Sequence, residues 1–332
     1  TYDRVKRIYI EEDFAAWKEY AYHAQIHGAI LAYLEIKKKN FYSIVSDVDG
    51  KRFVTARGWE DLSVVMKVYE QQGLPINYDF VVQYLQDPEI ARDFAVYYEL
   101  YQKYNQIYRI PELLEGEFPE DVLAIQNAPF DEKLSLIGLL LDALSQEFVT
   151  YARWENVQKE FLAQLGYLRI DLKEGKGSAK ELLERQSESH ETMTAHRKKA
   201  NLLSREELRT AHDLQKAFDA CVRLVTEAGS GDARSDFGLV KQYFDEQENL
   251  RQTQIADTGR HLSNAFDFLS RVFGEGQELV IFLSELSAGY YSLKFVSECG
   301  NEDYYKYNRL LLLKDRGEEL TQEVMQILAL DD

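Results

Sequence analysis

Apolar residues in this chain recur at spacings of three and four along almost its whole length, and that rhythm admits few folds other than a helical one. Phe14, Trp17, Ala21 and Ala24 fall on one face, and Ile26, Ile30, Tyr33 and Leu34 continue it. One stretch breaks the pattern. From Phe41 to Thr55, β-branched and aromatic residues flank Asp49-Gly50, a dipeptide that accepts the positive φ angles of a tight hairpin turn. No other strands are expected, so the fold class predicted is mainly α with one small β-hairpin.

Helix boundaries are marked by capping residues. Thr55 is placed to cap a helix with Leu62, Val65, Met66 and Tyr69 on one face, ended by Gly73 and Pro75, and Asn77 and Asp87-Pro88 open the next two. Ile90, Phe94, Tyr97, Tyr101, Tyr104 and Tyr108 then form a stripe. Its spacing reads as a core face with tyrosine hydroxyls reaching the edge, rather than as a cofactor or base-stacking surface. Pro111, Gly116, Pro119 and Pro129 cluster where the charge balance also changes, which predicts two domains, 1–115 and 116–332.

Beyond that boundary an apolar helix is expected over 131–165, then a break at Gly175–Gly177, then a solvated helix or mobile segment over 178–200. Ser204-Arg-Glu-Glu207 is a capping box, with Leu208, Ala211, Leu214, Phe218, Val222 and Val225 inward in the helix it opens. A longer helix follows from Asp236 to Phe273, about 57 Å if straight. Leu250 is the one strongly apolar residue between Asp245 and Gln254, so this helix is expected to project from the body or to pack at one end only. Gly274-Glu-Gly276 reads as a helix–helix corner, and helices over 277–298 and 301–328 close the chain.

At 332 residues and 45% hydrophobic, the chain is long enough for a sizeable core. Its net charge of −18 is uneven, −2 over residues 1–110 and −16 over the rest. An acidic surface repels phosphate backbones, so no nucleic-acid partner is expected. The longest apolar run, Leu134 to Leu144, is interrupted and falls short of the roughly 18 residues of a membrane span. Cys221 and Cys299 are isolated, which argues against a disulfide framework, and a cytoplasmic location is expected.

Chemistry-bearing patterns are few. No G-x-x-x-x-G-K-[ST] phosphate loop occurs; Gly175-Lys-Gly-Ser-Ala-Lys180 has the wrong spacing and no strand before it. His23 and His27 stand four apart on a helix, but the glutamate of H-E-x-x-H and a third ligand are missing, so no metal site is expected. His190 and His196 point about 240° apart round a helix. Cys221 lies on an inward helix face and Cys299 in a turn with no base beside it, so no catalytic residue is assigned. Arg57 falls in the first turn after Thr55, where a cation is disfavoured unless an anion binds there or Glu60 or Asp61 neutralises it.

Several of these segments together are similar to one family. Gln25-Ile-His-Gly-Ala-Ile30, Tyr33-Leu34, Asn40-Phe41-Tyr42, Thr55-Ala-Arg-Gly-Trp-Glu-Asp-Leu62 and Gln83-Tyr-Leu-Gln-Asp87 resemble the lid subdomain of MoxR-type AAA+ ATPases. Asn264-Ala-Phe-Asp-Phe268, Phe273-Gly-Glu-Gly-Gln-Glu278 and Tyr304-Tyr-Lys-Tyr-Asn308 resemble the helical extension of a bacterial branch of that family. One departure is Ala56, where many relatives have proline before the arginine. The resemblance implies an AAA+ lid followed by a long-helix domain, with Arg57 as a sensor-2-like contact to ATP phosphate. It also implies a larger parent that holds ATP and Mg²⁺ on a core subdomain, an expectation in keeping with a chain that starts at Thr1 and has its first methionine at Met66. No cofactor is expected on this part alone. Expected partners are the parent's own core, neighbouring subunits of a ring and a von Willebrand factor A domain protein, in chaperone-like remodelling of client proteins. The competing expectation is a non-enzymatic helical scaffold without nucleotide binding.

Overall fold

The computed structural model describes residues 11–47, 50–118 and 125–311. It is mainly α-helical with one antiparallel hairpin, as the periodicity predicts. Helices α1 (Phe14–His23) and α2 (Gly28–Ile36) precede strands β1 (Ser43–Asp47) and β2 (Gly50–Val54). Ser43 pairs with Val54 and Asp47 with Gly50; the expected turn at Asp49 lies outside the described residues. Then come α3 (Ala56–Gln71), α4 (Tyr78–Val81), α5 (Pro88–Tyr108) and α6 (Ile110–Leu114). Further along, the described residues form α7 (Phe130–Lys173), α8 (Ala179–Lys199), α9 (Arg205–Ala228), α10 (Ala233–Phe273), α11 (Gln277–Ala288) and α12 (Tyr290–Cys299). A last helix is described over 302–311; its expected continuation to 328 lies outside the described residues.

By its contacts the chain separates into two compact units: Thr1–Gln146 with Gly259–Asp332, and Glu147–Thr258. The segment 1–115 is thus one part of the first unit. In that unit Trp59, Tyr33, Phe94, Leu62 and Met66 are buried together with the corner before α2. Each fully buried side chain of the size of Phe94 or Leu62 contributes about 1.5–3 kcal/mol. Further along, Phe266, Phe282 and Phe295 are buried, and Asn264 Nδ2 donates to the Leu114 carbonyl at 2.7 Å.

The second unit has a mostly aliphatic core: Leu165 and Leu168 of α7, Leu182 and Leu183 of α8, Leu214 and Val225 of α9, and Val240 of α10, with the rings of Phe161 and Phe218 packed edge to face among them. Capping boxes start two of its helices, Ser178 with Glu181 and Ser204 with Glu207. Beyond Leu183 the apolar residues of α8 run out and Met193 is 61% exposed, so of the two forms expected for 178–200 the solvated helix is the one found. Its last turn carries His196, Arg197, Lys198 and Lys199, where the helix end favours cations.

The expectation that the helix over 236–273, here α10, projects from the body or packs at one end only is corrected. Near its middle, Arg251 Nη1 bonds Glu155 of α7 at 2.6 Å and its Nη2 bonds Glu248 at 2.8 Å, so an ion pair replaces the missing apolar side chains. Thr258 Oγ1 donates to Glu147 Oε2 at 2.8 Å, joining the residue where the chain comes into this unit to the residue where it leaves. Among the described residues α7, and the bent pair α11 with α12, are long and apolar enough to cross a membrane by composition; 56% of the apolar stretch of α7 is buried inside the protein, as in a core helix.

Candidate functional site

Arg57 is the second residue of α3, on a turn held from three directions. Thr55 is extended (φ −142°, ψ 163°), and its hydroxyl accepts from the Gly58 N–H at 3.3 Å. Gly58 runs so close to the segment after α4 that a Cβ there would stand 2.9 Å from the Tyr84 carbonyl oxygen, an approach only glycine permits. The Gln86 N–H in turn donates to the Phe53 carbonyl at 3.1 Å, tying that segment to β2. Trp59, next in line, is fully buried, donates from Nε1 to the Phe41 carbonyl at 3.1 Å and packs against Tyr33 and Phe94 with ring centroids 5.8 and 5.3 Å away.

The Arg57 side chain itself is 87% exposed. Asp61 stands one turn on, its Oδ2 3.7 Å from Arg57 Nε, and is itself 59% exposed; such a pair is weak and screened by salt. Glu60, the other candidate neutraliser, instead accepts from the Tyr20 hydroxyl at 3.0 Å. The first turn of α3 carries no acidic residue. An anion arriving there would meet a guanidinium and the positive end of a helix together, a combination suited to phosphate.

Of the two histidines, His27 has both ring nitrogens engaged. His27 is buried and caps α2: its Nδ1 accepts from the Ala29 N–H at 3.1 Å, which places the ring proton on Nε2, 3.0 Å from Glu70 Oε1. Its own N–H donates to Ser63 Oγ at 2.8 Å. With both ring nitrogens engaged, the imidazole has no lone pair left for a metal. The His23 side chain lies outside the described part, and among the described residues no group of three His, Cys, Asp or Glu is placed to hold a metal ion. Glu70 also accepts from Tyr98 at 2.7 Å and Gln102 at 2.8 Å. Burial alone would raise its pKa, but the hydrogen bonds from His27, Tyr98 and Gln102 outweigh that and hold it below the ordinary carboxylate value.

The tyrosine stripe of α5 is a core face. Tyr97 meets Ser135 Oγ at 3.1 Å, and Tyr108 donates to Glu132 at 2.5 Å. Burial holds these phenols well above their ordinary pKa, so they remain protonated. Tyr98, which the stripe as read from the sequence omits, is more buried than Tyr97; its spacing of four from Phe94 is the signal that marks it. Cys221 is fully buried, its thiol pushed up to about 12 by desolvation, which makes it inert. His190 Nδ1 lies 3.0 Å from Gln215 Oε1 on the neighbouring helix. Lys18, Glu35 and Glu285 also come together, a group no sequence signal marks because Glu285 lies 267 residues from Lys18. No family model, no curated protein and no solved structure matches this chain.

Proposed function

We propose that this chain is the C-terminal regulatory and interaction part of a MoxR-type AAA+ ATPase, with 1–115 as the lid over bound ATP and Arg57 as the residue that senses its terminal phosphate. The observation that supports this reading is the contrast at the start of α3: a backbone pinned by Thr55, Gly58 and Trp59 presents an arginine that is 87% exposed. In such an ATPase the nucleotide lies between core and lid, and Mg²⁺ with fixed cations offsets the charge that spreads over the transferring phosphoryl group. Arg57 would contribute one of those cations and report loss of the phosphate as a movement of the lid. The core subdomain and its phosphate loop belong to the parent, so hydrolysis is assigned to the parent. In this reading the chain works in the cytoplasm in ATP-driven remodelling of partner proteins. It contacts its own core, neighbouring subunits and a von Willebrand factor A domain partner.

A scaffold without nucleotide is the second reading, favoured by the 3.7 Å approach of Asp61, which gives Arg57 a partner of its own. The test is ATP turnover by the protein carrying an AAA+ core ahead of this chain, as wild type and as Arg57→Ala. Turnover is expected to fall by roughly 10²- to 10³-fold, the scale of losing one transition-state cation or donor. Thermal stability should hold, because so exposed a side chain contributes within about 0.5 kcal/mol. Unchanged turnover would leave the scaffold.

A further inference from the structure

In the first unit a cavity of about 60 Å³ opens where α1, α2, α7 and α11 meet. Its floor is aliphatic, from Ile26, Leu31, Ile137, Leu141 and Ile281, while its charged lining sets Lys18 against the carboxylates of Glu35, Asp142 and Glu285. Lys18 Nζ lies 2.7 Å from Glu35 and 2.5 Å from Glu285, and Lys38 bonds the other oxygen of Glu35 at 2.7 Å from outside the lining. Lys18 and Lys38 are paired with Glu35 and Glu285, so Asp142 is the carboxylate of this lining that neither lysine matches.

The imbalance can be followed atom by atom. Glu285 gives one oxygen to Lys18, while its Oε2 is buried with no donor. The Gln25 side-chain nitrogen is also buried without a partner. Asp142 accepts from Gln146 at 3.4 Å and leans on Gly28, where a Cβ would stand 2.8 Å from its Cγ. One α-helical turn away from each of these, a Cβ at Gly138 would stand 2.9 Å from that of Ala32, so α2 and α7 cross too closely for this wall to give way. The Gln25 backbone is left-handed (φ 56°), an uncommon conformation for a residue with a side chain, and Lys67 Nζ donates to its carbonyl. A buried carboxylate oxygen without a donor is costly in a folded protein, and here two of the three unsatisfied or under-satisfied groups want a hydrogen-bond donor bearing positive charge.

We propose that this cavity binds a small aliphatic primary ammonium, its head on Glu285 Oε2 and Asp142 and its stem along the aliphatic floor. A water takes up roughly 10–15 Å³ of such a cavity, which leaves room for about four or five heavy atoms, the size of n-propyl- or n-butylammonium. An ammonium has three donors. The Gln25 amide, turned about its last torsion, offers its oxygen to the third. A carboxylate ligand would add to the unmatched negative charge, and an alcohol of the same length would leave it in place. The inference stands on charge and geometry in the first unit and is independent of the ATP reading.

The test is calorimetric titration of the whole chain at fixed ionic strength with n-butylammonium, 1-butanol and butyrate. Saturable one-to-one binding of the ammonium is expected, weaker by about tenfold or more for the alcohol and absent for butyrate. Glu285→Gln keeps the shape and the contact to Lys18, and is expected to weaken ammonium binding by about tenfold. Leu141→Phe fills the floor and should abolish binding with Glu285 intact; it decides the matter if the first variant does not fold. No saturation by butylammonium, equal binding of 1-butanol, or ammonium binding that survives Leu141→Phe would each overturn the proposal and leave a hydrated cavity.

Discussion

The segment around α3 and the second compact unit reach stability by different means. Around α3, side chains far apart in sequence are joined by directional polar contacts: His27 with Glu70, Ser63 with the His27 backbone, Trp59 with the Phe41 carbonyl. Those contacts surround an aromatic cluster in which Tyr33, Trp59 and Phe94 lie within 5.8 Å of one another. In the second unit the core is mostly aliphatic, and many ion pairs are exposed links three or four residues apart, such as Arg209 with Glu206 and Lys216 with Asp213. A directional network needs particular residues, whereas an amphipathic helix needs only the right period. That difference makes single side chains count for more around α3 than in the second unit.

Trp59→Ala should break the comparison hardest. It removes both the aromatic centre and the bond to Phe41, at about 3–5 kcal/mol. Urea denaturation should show the loss, and amide exchange should speed up in 14–108 while 147–258 keeps its protection. Equal loosening of both regions would show that they do not differ in this way. Next in size is Arg251→Met, which leaves Glu155 and Glu248 without their shared cation; a loss of about 1–2 kcal/mol is expected, with fraying centred on α10. Ser204→Ala removes one half of a capping box and should cost about 1 kcal/mol, read by the same denaturation and confined to the second unit.

The smallest expected effect is the sharpest in kind. Glu70 has its pKa lowered in the folded protein, so its contribution is fully present above the ordinary carboxylate value of 4.5 and is lost as pH falls toward the folded value. Glu35 and Asp93 are shifted the same way, by Lys18 and Lys38 and by Lys37 and Tyr33, each against the opposing effect of burial. Stability of the α3 region should therefore decline below about pH 4.5. Glu70→Gln should make that decline shallower, as measured by thermal melts across pH. An unchanged slope would remove Glu70 from the network.

What could be read in advance was local. Thr55, Asn77, Asp87 and Ser204 each cap the helix their positions predict, because capping needs only the next three residues. The Ser178 box was equally readable from Ser178 and Glu181. The exposure of Arg57 follows from its place in a capped first turn, but the close approach of Gly58 to Tyr84 that sets the turn has no local sign. Glu70 stands 43 residues from His27, and nothing beside either residue marks the pair. The same holds for the discontinuous first unit, in which Asn264 meets Leu114 across 150 residues. The middle of α10 was misread because an ion pair holds a helix without leaving an apolar stripe.

The hydrogen bond from Thr258 to Glu147 bears on how such a chain changes over generations. Because these two residues meet, the hundred or so positions between them form a loop in the topological sense, begun and ended at one place. Whole helical turns can be added to or removed from α7 and α10 in step, or the excursion exchanged for another, with the residues of the first unit unaltered. Lineages should therefore differ most in the length and content of this excursion and least in the corner that carries Arg57.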